Sequence, residues 1–407
     1  MPANPQIRFA CFGVVHACCA AFVAAQAPTR MPLESPGPVE FVSTETMGNI
    51  FGIHALADGR VFVNDAIRKR LLLFDSTLAS ATVIAGGPGA PNPYGSVPIV
   101  LVPGRDDTTL VLDAESVSFL VYDPGGKVAR VMSLPKPSDA QIIMAYTGIA
   151  SLDAQGRLVY RGVLPARPPV AVKPGEPYMA SPPPDSAPIL RGHFDTRTVD
   201  TIGMVGIAVF KTRTHADSTG RLVRTTVYDP LYRSDDWAVT SDGTVALVRS
   251  VDYHIDWVRP DGTRYSTPKM PFDWRRYSES EKVALIDSMR TAMERNFRER
   301  MAAANNTKAV MPTMEFVSPN DMSDYPSTIK SGSVQADRDG NVWIPPTTTV
   351  DAAPGRLVYD VVNTRGEVTR RVQLPVGRRL VGFGPHGVLY YSVSDSAGAR
   401  LERARIH

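Results

Sequence analysis

The chain has 407 residues, 43% of them hydrophobic, with 44 Lys and Arg against 41 Asp and Glu. A chain this long and apolar can bury a sizeable core, and with no block of like charge it lacks the electrostatic footprint of a nucleic-acid binder. Thirty-five prolines and 31 glycines fit a turn-rich all-β protein.

Residues 1–27 read as a signal peptide: Arg8, an apolar stretch over 9–23, then Ala25-Gln26-Ala27 as a small-x-small cleavage pattern. The apolar run is short for a membrane span, so no transmembrane segment is expected in the mature chain. Cys11, Cys18 and Cys19 all lie inside this segment. The mature chain would then carry no disulfide, no thiolate nucleophile and no cysteine–zinc site. The expected location is secreted, periplasmic or extracellular. Lipoprotein anchoring through Cys18 or Cys19 is the minor alternative, because His16 stands where a small apolar residue is expected.

Residues 28–38 are Pro-rich and read as an extended linker. From residue 39 onward a unit recurs. In the first, over 48–76, an apolar run ends in Asp58-Gly59, a second run follows, and a third closes with Asp75. Turn positions near Gly59, Asp107, Gly156, Gly243, Gly340 and Gly387 mark six units. Three of the steps are 48, 49 and 47 residues, and the other two, 87 and 97, are about double. A period in the forties with four strands per unit predicts a six-bladed β-propeller of four-stranded antiparallel blades, filling residues 39–407. Near-continuous apolar runs such as 71–74 and 245–248 fit strands buried on both faces. The sixth unit ends one strand short, and residues 39–43 are expected to supply it, joining the chain ends.

Two insertions break the period. Residues 164–188 hold nine prolines and form neither helix nor central strand. They read first as a tolerated surface loop, second as a binding loop at the ring mouth. The region around 217–220 reads as the turn of a long hairpin within 198–229. The second insertion, 271–330, contains one amphipathic helix over 278–301. Ser278 and Glu281 form a capping box, and Val283, Ile286, Met289, Met293, Phe297 and Met301 share one face. That face is expected to lie down on one end of the ring.

Chemistry is harder to read. The histidines form no His-x-x-x-His pattern, no Gly-x-Ser-x-Gly elbow exists, and no Gly-rich phosphate loop follows a strand into a helix. No catalytic residue and no metal ligand is assigned. A cofactor is not expected, with a divalent metal at inner-strand residues such as His54 as the alternative. Weak binding candidates are His54 and three aromatics, Trp237, Tyr253 and Trp274. Trp257 and Trp343 sit in apolar strands and read as core, whereas Trp237 and Trp274 are the better surface candidates.

The repeats Gly52-Ile53…Asp58-Gly59-Arg60-Val61 and Val334…Asp339-Gly340-Asn341-Val342-Trp343-Ile344 resemble NHL-type six-bladed β-propellers, in particular secreted bacterial propeller proteins of unassigned function. The resemblance implies architecture. Such propellers include metal-dependent lyases and lactonases as well as binding modules, so it implies no single activity. The reading is a secreted binding or interaction module whose partner, a small molecule, carbohydrate or protein, sits at the mouth of the central channel. The alternative is a metal-dependent propeller lyase or hydrolase at the same mouth.

Overall fold

The computed structural model describes residues 31–407 except 88, 96–99, 114, 146–149, 165–183, 210, 217–221, 304–308, 312 and 349–355. Residues Met1–Pro32 separate as a unit of their own. The expected signal peptide, most of the Pro-rich loop and the 217–220 turn lie outside the described residues.

Residues Leu33–His407 form a six-bladed β-propeller. Blade 1 is Ile50–Ala55, Val61–Asp65, Arg70–Phe74 and Ala81–Ala85, paired antiparallel in that order from the channel outward. The inner strands of blades 2 to 6 are Val100–Pro103, Ala150–Leu152, Asp236–Val239, Gln335–Ala336 and Arg378–Phe383. Gly59, Gly243 and Gly340 take positive φ in the first hairpin turns of blades 1, 4 and 5. Each is the last residue of a three-residue connection, as where the Leu56 N–H donates to the Arg60 carbonyl and the Gly59 N–H to the Leu56 carbonyl. That position takes the left-handed conformation, which glycine adopts freely.

The apolar runs are explained by the packing. In Arg70–Phe74, Leu71 and Leu73 face the seam with blade 2, whereas Leu72 and Phe74 face the seam with blade 6. Val245–Arg249 behaves alike: Val245 and Leu247 pack toward blade 3, Ala246 and Val248 toward blade 5. A strand sandwiched between two blades alternates between two cores rather than between core and water. The core is accordingly six separate seams, one between each pair of adjacent blades.

The ring closes as expected. Phe41–Val42 pairs antiparallel with Gly398–Arg405 as the outer strand of blade 6. One segment read as linker is structured: Leu33–Glu34 pairs parallel with Val368–Gln373, adding a fifth strand to blade 5. Arg370 holds it there through an ion pair from its Nε to Glu34 at 2.8 Å. The third blade also corrects the sequence reading. Val199–Gly206, assigned to the long hairpin, is its outer strand. The hairpin proper is Lys211–Ala216 with Leu222–Tyr228, extended by Glu315–Phe316 in parallel.

The helix runs Glu279–Ala303. The Ser278 hydroxyl accepts from the Glu281 N–H (3.3 Å), and the Glu281 carboxylate accepts from the Ser278 N–H (2.9 Å). Its apolar face does not lie down along its length. Only Ile286 of that face is buried, in a small cluster with Leu231 and Met322. Val283 is exposed, and Met289, Met293, Phe297 and Met301 are half-buried. Lys282 is the other buried side chain, donating to Asp324 at 2.7 Å. Among the described residues no helix is long and apolar enough to cross a membrane.

Candidate functional site at the channel mouth

The inner strands of all six blades line one open cavity of about 1100 Å³. The strands enter it at one end and turn at the other, so it has two chemically distinct ends.

At the turn end lies His54. It is 4% exposed, and its Nδ1 is 2.8 Å from the Thr109 hydroxyl of blade 2. Burial lowers its pKa to about 4, helped by the Arg338 guanidinium and opposed by the Asp107 carboxylate. The imidazole is therefore neutral near pH 7. Arg338 reaches from blade 5, past blade 6, and donates to the Ala55 carbonyl of blade 1. Three of the carboxylates here are engaged. Both oxygens of Asp107 accept from the Ala57 N–H. Asp337 accepts from Asn341 and from the Trp343 indole. Asp153 is ion-paired to Arg157 and Arg191.

At the entry end, blade 1 carries a bulge. Its register shifts between Ile50 and Gly52, leaving Phe51 outside the regular pairing with its neighbour strand. Phe51 is 39% exposed and lines the cavity. Bulges redirect side chains in this way and recur beside functional sites. A Cβ built on Gly52 would meet nothing within 4 Å, so open space faces it. Arg379 of blade 6 donates to the Ile50 carbonyl at 2.8 Å, one peptide from Phe51. Gln335 of blade 5 donates to the Leu380 carbonyl at 3.2 Å. Asp236 of blade 4 is buried and bonds the Ser333 and Val334 N–H groups of blade 5 at 2.8 and 2.9 Å. Burial raises its pKa to about 6 against the effect of those hydrogen bonds.

The four sequence candidates part company. His54 and Trp237 line the cavity. Trp237, expected at the surface, is only 5% exposed, because its ring packs in the seam between blades 3 and 4. Tyr253 is fully buried between blades 4 and 5, donating to Asp360 at 2.7 Å, with Arg371 on the other carboxylate oxygen at 2.9 Å. Trp274 is 44% exposed, edge-on to Phe272 and Tyr325 and outside the residues lining the cavity. Trp257 and Trp343 are core, as expected. Sequence reasoning missed Phe51, Arg379, Gln335, Arg338 and Asp236. The only signal for Phe51 was an aromatic directly before a glycine on the first inner strand.

No protein-family model matches the chain, and no curated protein matches it. Among solved structures it is similar to a virginiamycin B lyase from Staphylococcus aureus, with 9% identity, a TM-score of 0.39, and 90% and 98% of the two chains covered. It is also similar to the PQQ-bound form of an aldose sugar dehydrogenase from Streptomyces coelicolor (10%, 0.40, 93% and 100%). A gluconolactonase from Xanthomonas campestris is a third (9%, 0.37, 92% and 99%). At this distance no substrate and no site residue is carried across. The six-bladed propeller stands on the chain's own sheets.

Proposed function

We propose that this is a secreted propeller, NHL-like in its repeats, that binds a small polar ligand at the mouth of its channel. The observation that supports this is the convergence of all six inner strands on one open cavity of about 1100 Å³. Pockets of several hundred cubic ångströms built where elements converge are the usual small-molecule sites. Secretion is supported by the pattern of residues 1–27. Cell fractionation tests it: protein found only in the cytoplasm overturns it. Gly52→Trp tests the site, since the new ring has open space to fill. Ligands found by thermal-shift screening of small acids, sugars and amines should fail to stabilise this variant. Equal stabilisation of wild type and variant moves the site elsewhere.

A second reading is that the same cavity performs chemistry. His54 favours it, a neutral imidazole held by Thr109 on the cavity wall. A divalent metal fits poorly there. Arg338 places a positive charge beside the imidazole, and among the described residues no three His, Cys, Asp or Glu side chains are grouped to hold an ion. Turnover of an ester or lactone panel, lost in His54→Gln while binding persists, would carry the conclusion to this reading. Stoichiometric, chelator-removable metal in the purified protein would reinstate the metal.

A further inference from the structure

We propose that the entry end of the channel selects small organic anions, with the anionic group on Arg379 and an apolar body against Phe51. This rests on the channel-mouth reading above and adds the class of ligand.

The charges support it. The Arg379 guanidinium has five N–H donors in a fixed fork, and one bond, to the Ile50 carbonyl, is made. Among the described residues it has no ion pair. Arg378 beside it is paired to Glu402, and Arg371 on the same side of the ring to Asp360. The charged residue next to Arg379 is thus matched within its own blade while Arg379 itself is not. The cavity-lining carboxylate at this end, Asp236, is buried and directed at the backbone of blade 5. Burial pushes the guanidinium pKa down, with only Tyr359 acting the other way, and no carboxylate offsets its charge. Its side chain is nonetheless exposed. A guanidinium surrounded by protein yet open to water lies on a concave wall. There its charge is screened less than on a convex surface, and its fork matches a carboxylate or phosphate.

The apolar half comes from the bulge. Regular pairing would keep residue 51 within the strand pattern of blade 1. Instead Phe51 lines the cavity at the peptide that Arg379 holds, and Gly52 leaves space next to it. Gln335, fixed by its bond to Leu380, supplies an amide oxygen for a hydroxyl or N–H of the ligand. A guanidinium and an aromatic ring fixed this close together fit a molecule with an oxyanion on an apolar or ring body.

The test uses three probes of one shape, phenylacetate, phenyl phosphate and neutral 2-phenylethanol, titrated by saturation-transfer NMR against the full mature chain. Wild type should bind at least one anion more tightly than the alcohol, and whichever anion wins identifies a carboxylate or a phosphate ligand. Arg379→Gln should weaken the anions about tenfold or more and leave the alcohol unchanged. Arg379→Lys, which keeps the charge and loses the fork, should still prefer the anions to the alcohol but bind them more weakly than wild type, and melting curves matching wild type guard against a folding artefact. Phe51→Ala should weaken all three probes. The inference is overturned if the alcohol binds as tightly as the anions, if Arg379→Gln binds the anions like wild type, or if neither anion binds below about 10 mM. The channel reading fails separately, if Gly52→Trp binds every probe as wild type does.

Discussion

The ring and its helical insertion both carry regular apolar patterns, and the two patterns end in different places. In the ring, strand 70–74 sends alternate residues into two seams, and all four of its apolar side chains are buried. On the helix, a stripe of six apolar residues buries one. A strand inside a blade has a neighbour on each face by construction. A helix on an insertion has only what the surrounding loops provide, so its stripe gives orientation without depth.

The largest effect expected from this contrast is in the seams. Trp257 is fully buried between blades 4 and 5, stacked on Tyr265. Trp257→Ala should cost about 3–5 kcal/mol, seen as a lower urea midpoint with an unchanged slope. A loss under about 1 kcal/mol would mean the seams share load more than their packing implies.

Next come the buried groups on the channel wall, which act in opposite directions. Asp236 has its pKa raised from 3.8 to about 6. Between those values the folded protein keeps a proton that the unfolded chain has lost, so stability falls as pH rises. His54 has its pKa lowered from 6.5 to about 4. Between those values the unfolded chain holds a proton that the folded protein lacks, so stability rises with pH. Each contributes on the order of 3 kcal/mol across its window, and in wild type the two oppose one another. Relative to wild type, Asp236→Asn should make stability climb more steeply from about pH 4 to 6, and His54→Gln should make it decline, both read from urea midpoints. Parallel profiles for wild type and both variants would refute the opposition.

The helix should respond weakly. Ser278→Ala removes the cap and should cost about 1 kcal/mol, raising hydrogen exchange in the first helical turn but not in the blades. Met293→Ala, on the half-buried stripe, should change the melting midpoint by no more than the equivalent of about 0.5 kcal/mol. A loss several times larger would show that the stripe is covered after all.

What was legible follows from the same contrast. The blades could be read because Asp58-Gly59, Asp242-Gly243 and Asp339-Gly340 impose local turns at a period, and because runs such as 245–248 need burial on both faces. The ring closure could be read because the sixth unit stopped one strand short. Leu33–Glu34 could not, since two residues carry no periodicity and their pairing is set by a strand far along the chain. Trp237 reads as a surface candidate beside Trp257 and Trp343, which sit in apolar strands, and two acids, Asp235 and Asp236, precede it. In the fold those acids cap blade backbones, and the indole fills a seam. Arg379 was invisible because the chain's charges nearly cancel overall. Only the fold shows that its neighbours are paired and it is not. Phe51 needed the register of two strands, which composition does not contain.

The joint between the chain ends also sets the order of assembly. Phe41–Val42 and Gly398–Arg405 pair although they lie far apart in the chain. Five blades can form from neighbouring stretches of chain, but blade 6 lacks its outer strand until these two segments meet. Until then both segments present unpaired backbone, and contacts this distant in sequence form slowly. Closure of the ring is thus the step best suited to come last, and a product lacking Gly398–Arg405 would leave Phe41–Val42 and Val388–Asp395 as open edges able to pair between molecules.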